Sequence, residues 1–180
     1  MSVAEIELPE WTVASPKRRA HIARVNALAL SWADALRIDR DERDAWSDAT
    51  RWHDVLRDAG EAELRALVPQ LDWRASLLHG PAAAARLAED GERRASVLDA
   101  IFWHTVGTAQ WDRTGRVLYM ADFLEPGRTF DREKRAQLAA RVPGDFDGVF
   151  RDVVRMRLGD RIASLEELLP ETVALWEGVQ

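Results

Sequence analysis

Apolar residues recur at three- and four-residue steps along nearly the whole of this chain, and alternating apolar and polar runs are scarce. A period near 3.6 buries one stripe of an α-helix, whereas a half-buried strand needs a period of two. The chain is therefore expected to be all-α. Its 180 residues, 47% of them hydrophobic, suffice for one good core, and the length suits a single domain. Residues 1–16, with Pro9 and Pro16, are expected to form a tail, and residues 17–180 one helical domain. Most of the eight tryptophans are expected to serve core packing.

The periodicity predicts a first helix over Lys17 to Leu36, with Ile22, Val25, Leu28, Ala29 and Trp32 facing inward and His21 on the same side. A second is expected from Asp41 to Ala59, ended by Gly60, which would place His53 and Asp54 inside a helix. A short helix over Ala62 to Leu67 stops before Pro69. His79 precedes Gly80-Pro81, the cap and first turn of another helix, where the positive helix end favours an anion. Glu92 to Trp103 would deliver His104 at its carboxyl end, and Gly115 to Leu124 would carry Asp122. Further amphipathic helices are expected over Arg132 to Ala140, Asp145 to Leu169 and Glu171 to Glu177.

Composition narrows the function. The 25 basic and 31 acidic residues, net −6, form no basic block, which argues against extended nucleic-acid binding but leaves room for a local polyphosphate pocket. There is no cysteine, so any metal must be held by imidazole and carboxylate, and the composition suits a reducing cytoplasm. Met1 to Glu10 lacks the basic start and apolar core of a signal peptide, and charges interrupt every hydrophobic run before the ~18 residues of a membrane span. The expectation is a cytoplasmic protein with no membrane partner.

The four histidines, with two aspartates, supply the chemistry. In order they are His21, the doublet His53-Asp54, His79, His104 and Asp122. Each histidine alone is more often a solvated or hydrogen-bonded residue than a ligand. Together the six are the donor set of divalent transition metals, and enough to hold two ions.

The segments His21-Ile22-Ala23-Arg24-Val25, His53-Asp54-Val55-Leu56-Arg57, Leu78-His79-Gly80-Pro81, Asp99 to Gly107 with its His104-Thr105-Val106-Gly107 end, and Ala121-Asp122-Phe123-Leu124-Glu125-Pro126-Gly127-Arg128 go further. Through them the chain resembles the HD-domain metal phosphohydrolase superfamily. Within it, the chain is similar to the YqeK-type hydrolases, which cleave diadenosine tetraphosphate symmetrically into two ADP with a di-iron centre. The resemblance spans residues 21–128, the metal-site core of a single HD-type helical bundle, with residues 129–180 as C-terminal helices.

The resemblance implies that His21, His53, Asp54 and Asp122 hold one metal and Asp54, His79 and His104 the second, with Asp54 bridging. It implies iron, though imidazole and carboxylate also accept manganese, nickel or zinc. A hydroxide between the metals would attack an internal phosphate, with Asp54 and Arg57 as catalytic residues and Arg57, Arg128 and Thr105 binding substrate. Asp99 is a further candidate near the site. Two positions depart from the family pattern: Trp52 replaces a smaller aliphatic residue, and Arg57 replaces a lysine but keeps the charge.

Two alternatives stand beside this reading: another HD-type nucleotide phosphohydrolase, or a non-catalytic, metal-containing module for nucleotide sensing or partner binding. A cyclic-dinucleotide enzyme of the HD-GYP kind would carry Gly-Tyr-Pro, and the only tyrosine here is Tyr119. The completeness of the six donors favours catalysis over a retired site.

Overall fold

The computed structural model describes residues 6–163 and 167–180. Among them it is helical, with no strand, as the periodicity predicted. Residues 1–5 of the expected tail, and residues 164–166 of the expected last long helix, lie outside the described residues.

The part of the tail that is described is docked. Val13 donates its N–H to the Val55 carbonyl at 2.8 Å and accepts from Asp58 N–H at 3.2 Å. Helix α1, Pro16–Leu36, then starts with Pro at its first position and Ser15 as cap, the Ser15 hydroxyl accepting from Arg18 N–H at 3.3 Å. Its buried face is His21, Ile22, Val25, Asn26, Ala29, Trp32 and Ala33, the stripe that the sequence spacing requires. Arg37, at φ 52°, ends it.

Helix α2, Arg40–Trp52, is capped by Asp39 and buries Ala45, Trp46, Ala49 and Thr50. It stops short of the predicted Ala59. His53 and Asp54 lie just past its end, and residues 53–58 run as successive turns whose amides reach back three residues, as from Arg57 to the Asp54 carbonyl at 3.1 Å. Gly60 precedes a new helix instead of ending the old one. The expectation that the doublet sits inside a helix is thus corrected, and the cause is a side chain. The His53 ring nitrogen Nδ1 takes the Thr50 carbonyl at 2.7 Å, one of the acceptors that a helix end leaves without an amide.

Helix α3 spans Glu61–Leu67 and is followed by a 3-10 turn, Ala75–Leu77. Helix α4, His79–Glu89, begins at the histidine itself, and α5, Ala95–Trp103, ends just before His104. Helix α6, Arg113–Leu124, is the centre of the core: every residue except Arg113 and Arg116 is buried. It packs against α1, α2 and α5, and against α7, Arg132–Arg141, and α8, Phe146–Ala163. Helix α9, Pro170–Glu177, closes the chain by packing on α8. No helix of the described residues is long and apolar enough to cross a membrane.

One glycine sets the approach that matters for the site. A Cβ on Gly80 would lie 2.7 Å from the Ile101 carbonyl oxygen and 3.0 Å from the His104 ring, so only glycine lets the first turn of α4 touch the end of α5. That contact brings His79 and His104 together.

Candidate metal centre

Five helices deliver six donors to one buried place. His21 comes from the inner face of α1, His53 and Asp54 from the end of α2, His79 from the start of α4, His104 from the end of α5 and Asp122 from α6. All six are buried.

All four rings are oriented in the same way. His53, His79 and His104 donate from Nδ1 to the backbone carbonyl three residues earlier: Thr50 at 2.7 Å, Ser76 at 3.2 Å and Ile101 at 2.7 Å. Carbonyls cannot donate, so the proton sits on Nδ1 and each Nε2 is left with a free lone pair. His21 does the same through a carboxylate, its Nδ1 lying 3.1 Å from Glu125 Oε1. Fixing Nδ1 in this way is how proteins hold an imidazole ready to bind a metal.

The Nε2 atoms converge. Those of His21 and His53 are buried without a hydrogen-bond partner. Those of His79 and His104 face one another at 3.1 Å. The Thr105 hydroxyl, 3.3 and 3.1 Å from them, has one proton and can serve only one. Lone pairs held so close repel unless a cation lies between them or a ring gains a second proton. Burial opposes the proton: it drives the His53 pKa down to about 4 and lowers that of His79. The donors therefore fit divalent metal ions.

They divide into two triads, His21, His53 and Asp122, and Asp54, His79 and His104, each with ligand atoms within 4.8 Å of one another. Asp54 serves both. Its Oδ1 lies 3.2 Å from His79 Nε2 and 3.5 Å from His104 Nε2, while its Oδ2 lies 3.7 Å from His21 Nε2 and 3.6 Å from His53 Nε2. Asp122 Oδ1 is 3.1 Å from His21 Nε2. Burial alone would raise the pKa of both acids. Around Asp54 the imidazoles of His53, His104 and His79 outweigh it, and around Asp122 Arg157, His21 and Arg128 do, holding both well below the usual carboxylate range. For His21, burial is outweighed by the Asp122 and Glu125 carboxylates, which leave its pKa raised.

The other sequence candidates fare unequally. Thr105 is at the centre, as above. Arg128 borders it, with Nη2 2.6 Å from Asp122 Oδ1 and Nε donating to the Asp122 carbonyl at 2.8 Å. The Arg57 guanidinium makes no hydrogen bond or ion pair among the described residues, though its charge helps to lower the His79 pKa. Asp99 is exposed and does not join the site; partial burial and Asp112 raise its pKa. Trp52 is half-buried at the end of α2, with the Arg51 guanidinium 4.7 Å over its ring.

Three residues with no role in the sequence reading stand in the arrangement. Arg18 Nη1 is 2.6 Å from Asp54 Oδ2. Arg157, from α8, is 3.0 Å from Asp122 Oδ2 and lies 4.3 Å over the Tyr119 ring. Glu125 is buried and accepts from Arg24 Nε and Gly127 N–H, both at 2.6 Å; burial is outweighed by His21, Arg24 and Gly127, which bring its pKa down to about 2. It thus stays a carboxylate against His21.

A cavity of about 510 Å³ opens beside His21. Its wall carries four cations, Lys17, Arg18, Arg24 and Arg128, against two carboxylates, Asp58 and Glu125, and Phe130 also lines it.

Comparison with known proteins agrees with this picture. In its helical order the chain is similar to the crystal structure of a predicted HD superfamily hydrolase involved in NAD metabolism from Clostridium acetobutylicum, with a TM-score of 0.74 over 92% of this chain and 89% of the other, at 22% identity. The chain shares the helical fold of that hydrolase. By sequence it is 30% identical over 135 residues to a symmetrical bis(5'-nucleosyl)-tetraphosphatase of Staphylococcus aureus, and 24% identical over 136 residues to one of Halalkalibacterium halodurans. Each match covers 71% of this chain; the chain spans 65% of the Staphylococcus protein's length and 72% of the other's. No protein-family model matches.

Proposed function

We propose that this protein is a metal-dependent phosphohydrolase that cleaves diadenosine tetraphosphate symmetrically into two ADP. The observation that carries the reading is the pair of buried donor triads sharing Asp54 beside a cationic cavity. Similarity to relatives named symmetrical tetraphosphatases supports the choice of substrate. His21, His53 and Asp122 would hold one divalent ion and Asp54, His79 and His104 the other, with iron the metal that the resemblance favours. Two such ions supply a water of lowered pKa and draw charge from phosphoryl oxygens.

The chain's own residues do the rest. Glu125, Thr50, Ser76 and Ile101 hold the four rings in the tautomer that ligates. Arg157 and Arg128 offset the buried Asp122 charge. Lys17, Arg18 and Arg128 line the cavity where a polyphosphate's oxygens need cations, and Thr105 offers a hydroxyl at the His79–His104 side. Arg57, which makes no ion pair among the described residues, is left a role in long-range charge.

The test is hydrolysis in oxygen-18 water by the metal-loaded protein. Water adds to a phosphorus next to the central bridging oxygen, the bond from that phosphorus to the central oxygen breaks, one ADP leaves carrying that oxygen on its terminal phosphate, and the attacked phosphorus becomes the terminal phosphate of the other ADP as the water gives up its proton. Two ADP are expected, one labelled on its terminal phosphate. AMP and ATP as products would overturn the symmetrical reading, and no turnover of any nucleotide would overturn the hydrolase.

A further inference from the structure

Phe130 is the one aromatic among the large hydrophobic side chains that the described residues expose, at 47%. It is not loose. It lies in the loop between α6 and α7, residues 125–131, and one buried side chain fastens that loop. Arg135, 2% exposed, donates to the carbonyls of Phe123 at 2.9 Å, Glu125 at 2.6 Å, Arg128 at 3.1 Å and Phe130 at 3.1 Å. The same guanidinium sits 4.7 Å from the Phe130 ring, and Phe123 meets that ring edge-on at 5.6 Å. A ring braced on its inner side and held by a pinned backbone is nevertheless left half in water.

Its position gives that exposure a use. Phe130 shares the 510 Å³ cavity with His21, Lys17, Arg18 and Arg128, so one cavity wall carries a metal-type donor, cations and an aromatic ring. A nucleotide joins the matching parts: an anionic phosphate chain and a planar base. The volume lies within the range of pockets that enclose a small ligand, and a rigid aromatic face stacks bases at little entropic cost.

We propose that Phe130 is the platform on which a nucleobase of the substrate stacks, with Arg135 as its positioning residue. The proposal rests on the nucleotide reading of the site. It makes Phe130 a determinant of nucleoside recognition, separate from the groups that hold phosphate.

The experiment is calorimetric binding of ADP and of inorganic pyrophosphate to the metal-loaded protein and its variants. Phe130→Ala is expected to weaken ADP binding about 5- to 150-fold, as loss of one stacking face does, and to leave pyrophosphate binding unchanged. Phe130→Trp should restore ADP binding. Unchanged ADP binding in Phe130→Ala, or equal losses for both ligands, would overturn the platform. So would loss on Trp73→Ala instead, which would put the base in the second cavity, of about 570 Å³, that Trp73 lines. If the wild-type protein splits diadenosine tetraphosphate while Phe130→Ala binds ADP normally, the platform alone fails. If it does not, but Phe130→Ala loses ADP selectively, the platform stands and the substrate assignment fails.

Discussion

Replacing Arg135 by methionine should be among the most damaging single changes outside the metal centre. Methionine keeps much of the apolar stem and removes the donors, so the loss reports hydrogen bonding rather than packing. Four carbonyls lose a charged donor, and hydrogen bonds to charged groups are each worth about 1.5–3 kcal/mol. The full sum is not realised, because burying the guanidinium carries its own cost, visible in a pKa that burial lowers, and some carbonyls regain water in the variant. A net loss of about 3–4 kcal/mol, at the high end for point mutants, is expected. For a chain of 180 residues that corresponds to a fall in Tm of about 6–16 °C. Arg135→Lys should recover only part of it, since a single ammonium cannot span four acceptors. Thermal melting gives the total, and hydrogen exchange across residues 125–131 locates it. A methionine variant that melts within about 2 °C of the parent, with unchanged loop protection, would refute the reasoning.

Metal analysis should find about two divalent ions per chain; His79→Ala and His104→Ala should each lose one preferentially, and Asp54→Ala should impair both. A protein fully active with one ion would contradict the two-triad arrangement. Gly80→Ala should force α4 from α5 and so deplete the ion held by His79 and His104 while sparing the other, because its Cβ would press on a backbone carbonyl that cannot move aside alone. Normal metal content and normal melting in that variant would show that the close approach is unimportant.

Much of this was legible in one dimension, and the exceptions share a cause. Helical periodicity located α1, α4, α5 and α6, and the six donors stood out because no histidine was spare. The doublet was misplaced because periodicity is blind to a ring that takes a carbonyl at a helix end: Ala49, Trp52 and Leu56 continue the helical spacing past the point where His53 stops it. Arg18 and Arg157 escaped notice because they reach Asp54 and Asp122 from α1 and α8, and nothing in their local sequence distinguishes them from other arginines. Glu125 did carry a signal, an acid before Pro-Gly-Arg in a quoted motif, but its bond to His21 crosses from the α6–α7 loop to α1. Arg57 drew attention through its place in a motif, yet Arg18 is the cation that touches the carboxylate.

The anchoring of the four imidazoles is unequal. Three hang from the main chain, through carbonyls that any side chain at Thr50, Ser76 or Ile101 would still present, so neighbouring sequence can drift without turning those rings. The fourth hangs from Glu125, and through it from the loop that Arg135 fastens. A change in that loop therefore reaches the candidate metal site at two points, at His21 through Glu125 and at Asp122 through Arg128, while the three rings held by the main chain keep their orientation.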